Sequence, residues 1–303
     1  VEIGDLHIVE EPLTARPQFS HQRLAITVYT LRFAILRGDV EMFQYLVQHP
    51  TSKDERIHLQ LWILLEAAAF HGNPSIFQAL LNHGLDIHQT NDSGKGSALA
   101  AAAASNHLDL VRQLHSLGAD VCTVAVGGID ETNAPMHRPL CLLASISGMS
   151  AILGAVKTQN IEMVDFLISN GADVNQCCNI TEQTERNLSL FPIQIATHGG
   201  NELLVRKIID ADADANSVAG IPRKHTTESP PLHSIIGRPS LRIALERGEE
   251  LIADLLLNRG ARIPTTSTGN QNWNPLTSAI QGKNHRLIRR VLQAFGGVLS
   301  DHG

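Results

Sequence analysis

The stretch AAAASNHLDLVRQLHSLGADV, residues 101–121, decides how this chain is organised. An Ala-rich run stops at Asn106, a residue suited to a tight turn. Aliphatic side chains then recur at Leu108, Leu110, Val111 and Leu114, the spacing of one helix face. Gly118 follows, where a left-handed residue terminates a helix. The segment therefore reads as two short helices joined by a turn and followed by an extended tail. So small a unit cannot bury its own apolar face, which raises the question of whether it recurs.

It does. With Asn106 as the turn marker, equivalent turns fall at Gly38, Gly72, Gln159, Gly200, Gly248 and Lys283. Successive spacings are 34, 34, 53, 41, 48 and 35 residues. Four residues before each marker stands an alanine: Ala34, Ala68, Ala102, Ala155, Ala196, Ala244 and Ala279. Seven before stands Leu31, Leu65, Leu99, Ile152, Ile193, Leu241 or Leu276. Four after come Met42, Ile76, Leu110, Met163, Leu204, Ile252 and Leu287, and eight after come Leu46, Leu80, Leu114, Leu167, Ile208, Leu256 and Val291. Intervals of three and four place these columns on one face of each helix. An alanine column lets neighbouring helices approach closely. Gly84, Gly118, Gly171 and Gly260, twelve after their markers, end the second helices.

Composition agrees. Of 303 residues, 43% are hydrophobic and only 4% aromatic, which favours helices packed through small and aliphatic side chains. The net charge of −6 lacks the basic field of non-specific nucleic-acid binding, so no nucleic-acid partner is expected. Four cysteines, Cys122, Cys141, Cys177 and Cys178, form no C-x-x-C pair, so no structural metal is expected. A reducing compartment fits them, and the expected location is cytoplasmic or nuclear rather than secreted. No apolar run is long enough for a membrane span, and the N-terminus lacks the basic region of a signal peptide. The chain begins with Val rather than Met, as a fragment or a trimmed chain does.

The pattern resembles the ankyrin repeat. HGNPSIFQALLNHGLDI, SNHLDLVRQLHSLGADV, TQNIEMVDFLISNGADVNQ and RGEELIADLLLNRGARI carry the resemblance, and the GADV and GADVN endings match the family motif closely. The family's T-P-L-H helix opening is eroded: FPIQ (191–194) and NPLT (274–277) keep only the Pro. The resemblance implies an all-α ankyrin-type helical repeat solenoid with long hairpin-like finger loops. Residues 1–28 would be an N-terminal extension or cap, and 29–303 a single array. Its repeats would lie near 29–50, 63–88, 97–121, 150–175, 191–216, 239–263 and 274–296.

Three spacings exceed 34 by more than one residue, by 19, 7 and 14, which enlarges the fingers around 122–149, 176–190 and 217–239. Runs at 139–148 and 231–237 read as short extra helical turns. Long insertions either crowd a binding face or drift neutrally, since closure entropy grows slowly with length. At the family's motif-His position stand Arg32, Glu66, Ala100, Leu153, Gln194, Arg242 and Thr277. The polar ones are expected to bridge neighbouring repeats.

In this family the ends of the first helices form the inner surface. The residues before the markers there are chemically mixed, unlike the buried columns. The resemblance thus points to a protein–protein interaction module holding a peptide or protein on its concave face and fingers. The expected partner-binding residues are Arg37, Phe70, His71, Lys157, Thr158, His198, Glu246 and Arg247, with Trp62 beside Phe70. The alternative is an enzyme whose enlarged fingers roof a pocket for a small molecule over repeats 4 to 6. His137, His198, His225 and His233 would then supply acid–base chemistry, with Cys141 or Glu228 nearby. No phosphate-binding, hydrolase or H-E-x-x-H motif is present. His71, His83 and His88 cluster without an acidic partner, Cys177–Cys178 reads as a passive pair, and no cofactor is expected. Lys283, Arg286, Arg289 and Arg290 give the last helix a basic surface, suited to an end cap or an acidic partner.

Overall fold

The computed structural model describes residues 30–48, 56–88, 97–125, 148–182, 186–218, 238–264 and 273–296. The proposed cap over 1–28 and most of the first and third enlarged fingers lie outside them, including the turns expected at 139–147 and 231–237. The first helix, α1, is described over 30–37. After it come α2 (Val40–Gln48), α3 (Arg56–His71), α4 (Pro74–Asn82), α5 (Ala98–Ala104), α6 (Leu108–Ser116), α7 (Ala151–Lys157) and α8 (Ile161–Ser169). A hairpin, β1 (Cys178–Glu182) and β2 (Arg186–Leu190), precedes α9 (Pro192–Gly199), α10 (Glu202–Asp210), α11 (Ser240–Arg247), α12 (Glu250–Asn258), α13 (Pro275–Gln281) and α14 (His285–Gly296).

The chain divides into two compact units, Val1–Gly154 and Ala155–Gly303. Within the first, α3 packs on α5, and α2 on α4. Within the second, α9 packs on α11 and α11 on α13, while α10 packs on α12 and α12 on α14. First helices therefore stack on first helices and second on second, as the repeat columns require.

The turn between the two helices is the same seven times. Gly38, Gly72, Asn106, Gln159, Gly200, Gly248 and Lys283 all take positive φ, between 55° and 72°. The next residue's N–H then reaches back to the alanine column, as from Asp39 to Ala34 O (3.0 Å), His107 to Ala102 O (2.9 Å) and Asn160 to Ala155 O (3.1 Å). In five copies that residue also caps the second helix. The side chains of Asp39, Asn73, Asn160, Asn201 and Asn284 accept from the backbone N–H three residues on, at 2.9–3.2 Å. Second helices end the same way, with φ of 84° to 96° at Gly84, Gly118, Gly171 and Gly260. In the fifth repeat Asp212 takes this role, at φ 65°.

The eroded helix opening keeps its cap in another residue. Ser97, Ser150 and Asn274 accept from the N–H groups of Ala100, Leu153 and Thr277 at 3.1–3.3 Å. Beyond the second helices, Asp86, Asp120, Asp173 and Asp214 each bind the N–H two residues on, at 2.8–2.9 Å. These aspartates shape the fingers. Asn175 then donates to Asp212 O and accepts from Asp214 N–H (2.9 and 2.8 Å), and Asn216 does the same with Gly260 and Arg262 (3.0 and 2.9 Å). The terminal Asn of GADVN thus links one finger to the next.

The finger over 176–190 is a true β-hairpin, registered Cys178↔Leu190, Ile180↔Leu188 and Glu182↔Arg186. Cys178 and Leu190 are buried and fix its base. The first enlarged finger is also closed at its base, by an antiparallel bridge Val124↔Ser150 and by Ala125 N–H to Met149 O (2.9 Å).

Among the motif-His positions, Gln194 does bridge repeats. Its amide donates to Arg238 O at 2.8 Å, and its oxygen accepts from Phe191 N–H at 3.0 Å. Arg242 does not follow: it pairs with Glu246 of its own helix at 2.7 Å. The one-turn spacing and the partly open site favour that local pair. Arg32 and Glu66 are buried in consecutive repeats, and each is engaged with other groups.

All seven column alanines are buried. Ala155→Leu should therefore cost about 1–3 kcal/mol through overpacking, read as a lowered urea midpoint; an unchanged midpoint would contradict the packing. Lys283→Gly should act oppositely, raising stability by about 0.5–1 kcal/mol as left-handed strain is relieved against the entropy of glycine.

Candidate functional site

The ends of the first helices carry side chains that the buried columns do not dictate. In the first unit these are Arg37, Phe70 and His71, and Phe33 lies one turn inside α1 from Arg37. Phe33 stands in a column occupied later by Ala67, Ala101, Gly154, Ile195, Ile243 and Ser278. All six later residues are buried, yet Phe33 is 41% exposed. The Arg37 guanidinium lies 5.9 Å from the centre of its ring, a cation–π contact on an exposed helix end. Sequence reasoning selected Arg37 and missed Phe33, because the column reads as core. The available signal was an aromatic ring where the other copies carry aliphatic or smaller residues.

Phe70 and His71 are half-buried rather than free. Their rings meet edge to face with centres 5.4 Å apart. His107 Nε2 lies 3.1 Å from Phe70 O, and its imidazole occupies the space beside Gly72, where a methyl group would stand 2.3 Å from the ring. Packing acts on this pair as well: an imidazole from the next repeat holds the end of α3. Trp62 is outside the residues whose side chains are described. Burial, then the charges of His107 and Arg32, hold the His71 pKa below the ordinary imidazole value.

In the second unit Lys157 and Arg247 are exposed, and His198 is half-buried. Burial and the nearby Arg247 guanidinium lower the His198 pKa. The Thr158 hydroxyl donates to Ala155 O at 3.1 Å, closing the end of its own helix. Glu246 also departs from expectation. Arg238 and Arg242 hold its carboxylate at 2.5 and 2.7 Å, and its side chain is only 10% exposed. Two guanidinium groups draw it away from the surface, so it braces the helix end. Lys157 and Arg247 remain as the basic contribution, with His198 as a half-buried imidazole beside Arg247.

Of the histidines considered for a pocket, His198 alone is described; His137, His225 and His233, with Cys141 and Glu228, lie outside. Among the described residues, no three His, Cys, Asp or Glu side chains are grouped to hold a metal. Within them, no helix is long and apolar enough to cross a membrane. Cys177 is exposed and Cys178 buried, with Cys178 Sγ 3.8 Å from Gln176 O.

His71 gives a pH dependence of definite sign. A folded-state pKa below the unfolded value of 6.5 means that folding favours the neutral ring. Its contribution is fully present above about pH 6.5 and is lost progressively as pH falls toward the folded-state pKa. His71→Gln should remove part of the stability lost between pH 7 and 5. Urea titrations at both pH values check this, and an identical loss in both proteins would refute it.

Comparison with known proteins agrees with this architecture. The family model for ankyrin repeats matches in three copies, over residues 31–125 and 64–178. An ankyrin repeat protein of Acanthamoeba polyphaga mimivirus, L675, is 31% identical over 146 residues. That match covers 48% of this chain and 24% of the relative, so the chain spans about a quarter of that protein's length. Beyond the matched residues the same columns, left-handed turns and Asn-linked fingers continue to Lys283 and α14. The chain belongs to the ankyrin-repeat family.

Proposed function

We propose that this chain recognises a protein partner through the first helices of its first unit, with Phe33 and Arg37 as the principal anchor. Ankyrin repeats are generally protein–protein interaction modules, which supports the class of function. The observation that carries the residue assignment is the exposed Phe33 ring beneath the Arg37 guanidinium. Aromatic and Arg side chains dominate interface hot spots because they bury large area at low conformational cost. The pairing suits a peptide that offers an apolar side chain next to a carboxylate. We also propose a reducing compartment, cytoplasmic or nuclear, which a chain with four cysteines and no C-x-x-C pair fits.

The test begins with peptides selected from a displayed library on the full chain and measured by calorimetry. Phe33→Ala with Arg37→Ala should weaken them by about 2 kcal/mol or more while circular dichroism stays unchanged. Phe70→Ala with His71→Ala should weaken binding less and lower the melting temperature, since those rings also pack. Peptides indifferent to Phe33 and Arg37, but weakened by Arg286→Ala with Arg289→Ala, would refute the assignment and point to the last helix.

A further inference from the structure

The end of α8 differs from its counterparts by one residue. Before the left-handed residue that closes each second helix stand His83, Leu117, Ala211 and Arg259 in other repeats, and Asn170 in the fourth. Asn170 is thus followed by Gly171, and Asn-Gly occurs once in the 303 residues. Two separate demands produce the pair. Gly171 takes φ of 88°, which favours glycine. Asn170 satisfies a carbonyl at the helix end, its Nδ2 donating to Phe166 O at 2.7 Å.

The same pair is chemically reactive, because glycine puts no side chain in the way of attack by its own backbone nitrogen on the preceding amide. The Gly171 nitrogen gives its proton to solvent base and bonds to Asn170 Cγ. The Cγ–Nδ2 bond breaks, and the amide nitrogen takes up a proton and leaves as ammonia. Water then opens the five-membered imide at one of its two carbonyls. Attack at Cγ leaves aspartate in an ordinary chain. Attack at the backbone carbonyl leaves isoaspartate, with the chain running through the side chain. Water is the only co-reactant.

The native fold keeps the reacting groups apart. Gly171 N–H donates to Ile168 O at 3.0 Å, and the Asn170 amide is held on Phe166 O. Ring closure needs the Gly171 nitrogen to eclipse Asn170 Cβ, and ψ of 16° at Asn170 turns it well away. All three restraints belong to the end of α8, so they are released together when that end frays. Gly171 is exposed, and a Cβ added there would meet nothing within 4 Å, so water and base reach the pair once it opens.

We infer that Asn170 and Gly171 form a self-modifying site, closed by the last turn of α8 and converted to aspartate and isoaspartate at a rate set by the opening of that turn. The conversion loosens the helix end. Aspartate puts a carboxylate against Phe166 O, acceptor facing acceptor at the negative end of the helix. Isoaspartate adds a methylene to the main chain and displaces Ala172, whose N–H reaches Leu167 O at 3.0 Å. The site therefore records the age of the chain, and it does not depend on the partner surface assigned above.

The full chain and a synthetic peptide of residues 168–176 are aged side by side in mildly alkaline buffer. Conversion at Asn170 is read by peptide mass mapping, with isoaspartate resolved by chromatography. The folded chain should convert about tenfold or more slowly than the peptide, and the slowing should match the hydrogen-exchange protection of the Gly171 amide, since one opening controls both. Asn170→Gln should stay unconverted, because its longer amide would have to close a six-membered ring. Asn170→Asp should melt below the parent, as the aged chain does. Conversion at the peptide rate shows that α8 does not close the site, and no conversion over a period in which the measured protection requires it shows that the opening does not lead to reaction; either result overturns the inference. An Asn170→Asp chain that melts like the parent overturns the loosening assigned to the product.

Discussion

Close approach of backbone to backbone governs this structure. A methyl group on Gly154 would stand 2.8 Å from the Ala104 backbone, and one on Gly282 would stand 2.0 Å from Leu245 O. Contacts this short leave no room for a longer side chain in the alanine column beside them. They also require that every turn place its backbone at the same height, which the left-handed marker residue achieves. Stacking, capping and the hydrogen bonds to the alanine carbonyls follow from that single geometry. The side chain after the marker reaches the preceding turn as well, as Asn284 Nδ2 does at Gly248 O, 3.1 Å away. The turns are therefore joined as well as the helices.

The repeat was legible because its demands are local and recur. Alanine at one offset and aliphatic residues at four others can be counted without knowing what they touch. The left-handed turn was legible at Gly38 or Gly72 and less so at Gln159 and Lys283, where the register identifies the position and the residue type does not. Asp212 escaped notice because glycine marks the equivalent site elsewhere. The candidate surface was less legible, since exposure depends on neighbours brought together by folding. Phe33 lies in a core column and is exposed. Glu246 lies in a surface column and is drawn inward by Arg238 and Arg242. Phe70 and His71 were placed correctly at a helix end, but the supporting His107 comes from another repeat, 37 residues from Phe70.

Uniform columns and varied helix ends divide the work of the chain. The columns hold one helix pair against the next and tolerate little change. The helix ends rest on that scaffold and bear side chains of varied chemistry, so they are free to change without disturbing the stack. Rings and guanidinium groups placed on helices also lose less freedom on binding than the same groups on a loop. Lys157 and Arg247 place exposed positive charge on a chain of net charge −6.

The closed base of the first enlarged finger has a wider consequence. Val124 and Ser150 bridge, and Ala125 and Met149 share a hydrogen bond, so the two ends of the intervening segment lie side by side. The length of what lies between those two ends is decoupled from the spacing of the repeats. A segment held this way can be lengthened, shortened or exchanged over generations while the helices on either side keep their register. The same clasp offers a natural graft point, since Gly148 N–H donates to Ala125 O at 2.8 Å and already holds the two ends together.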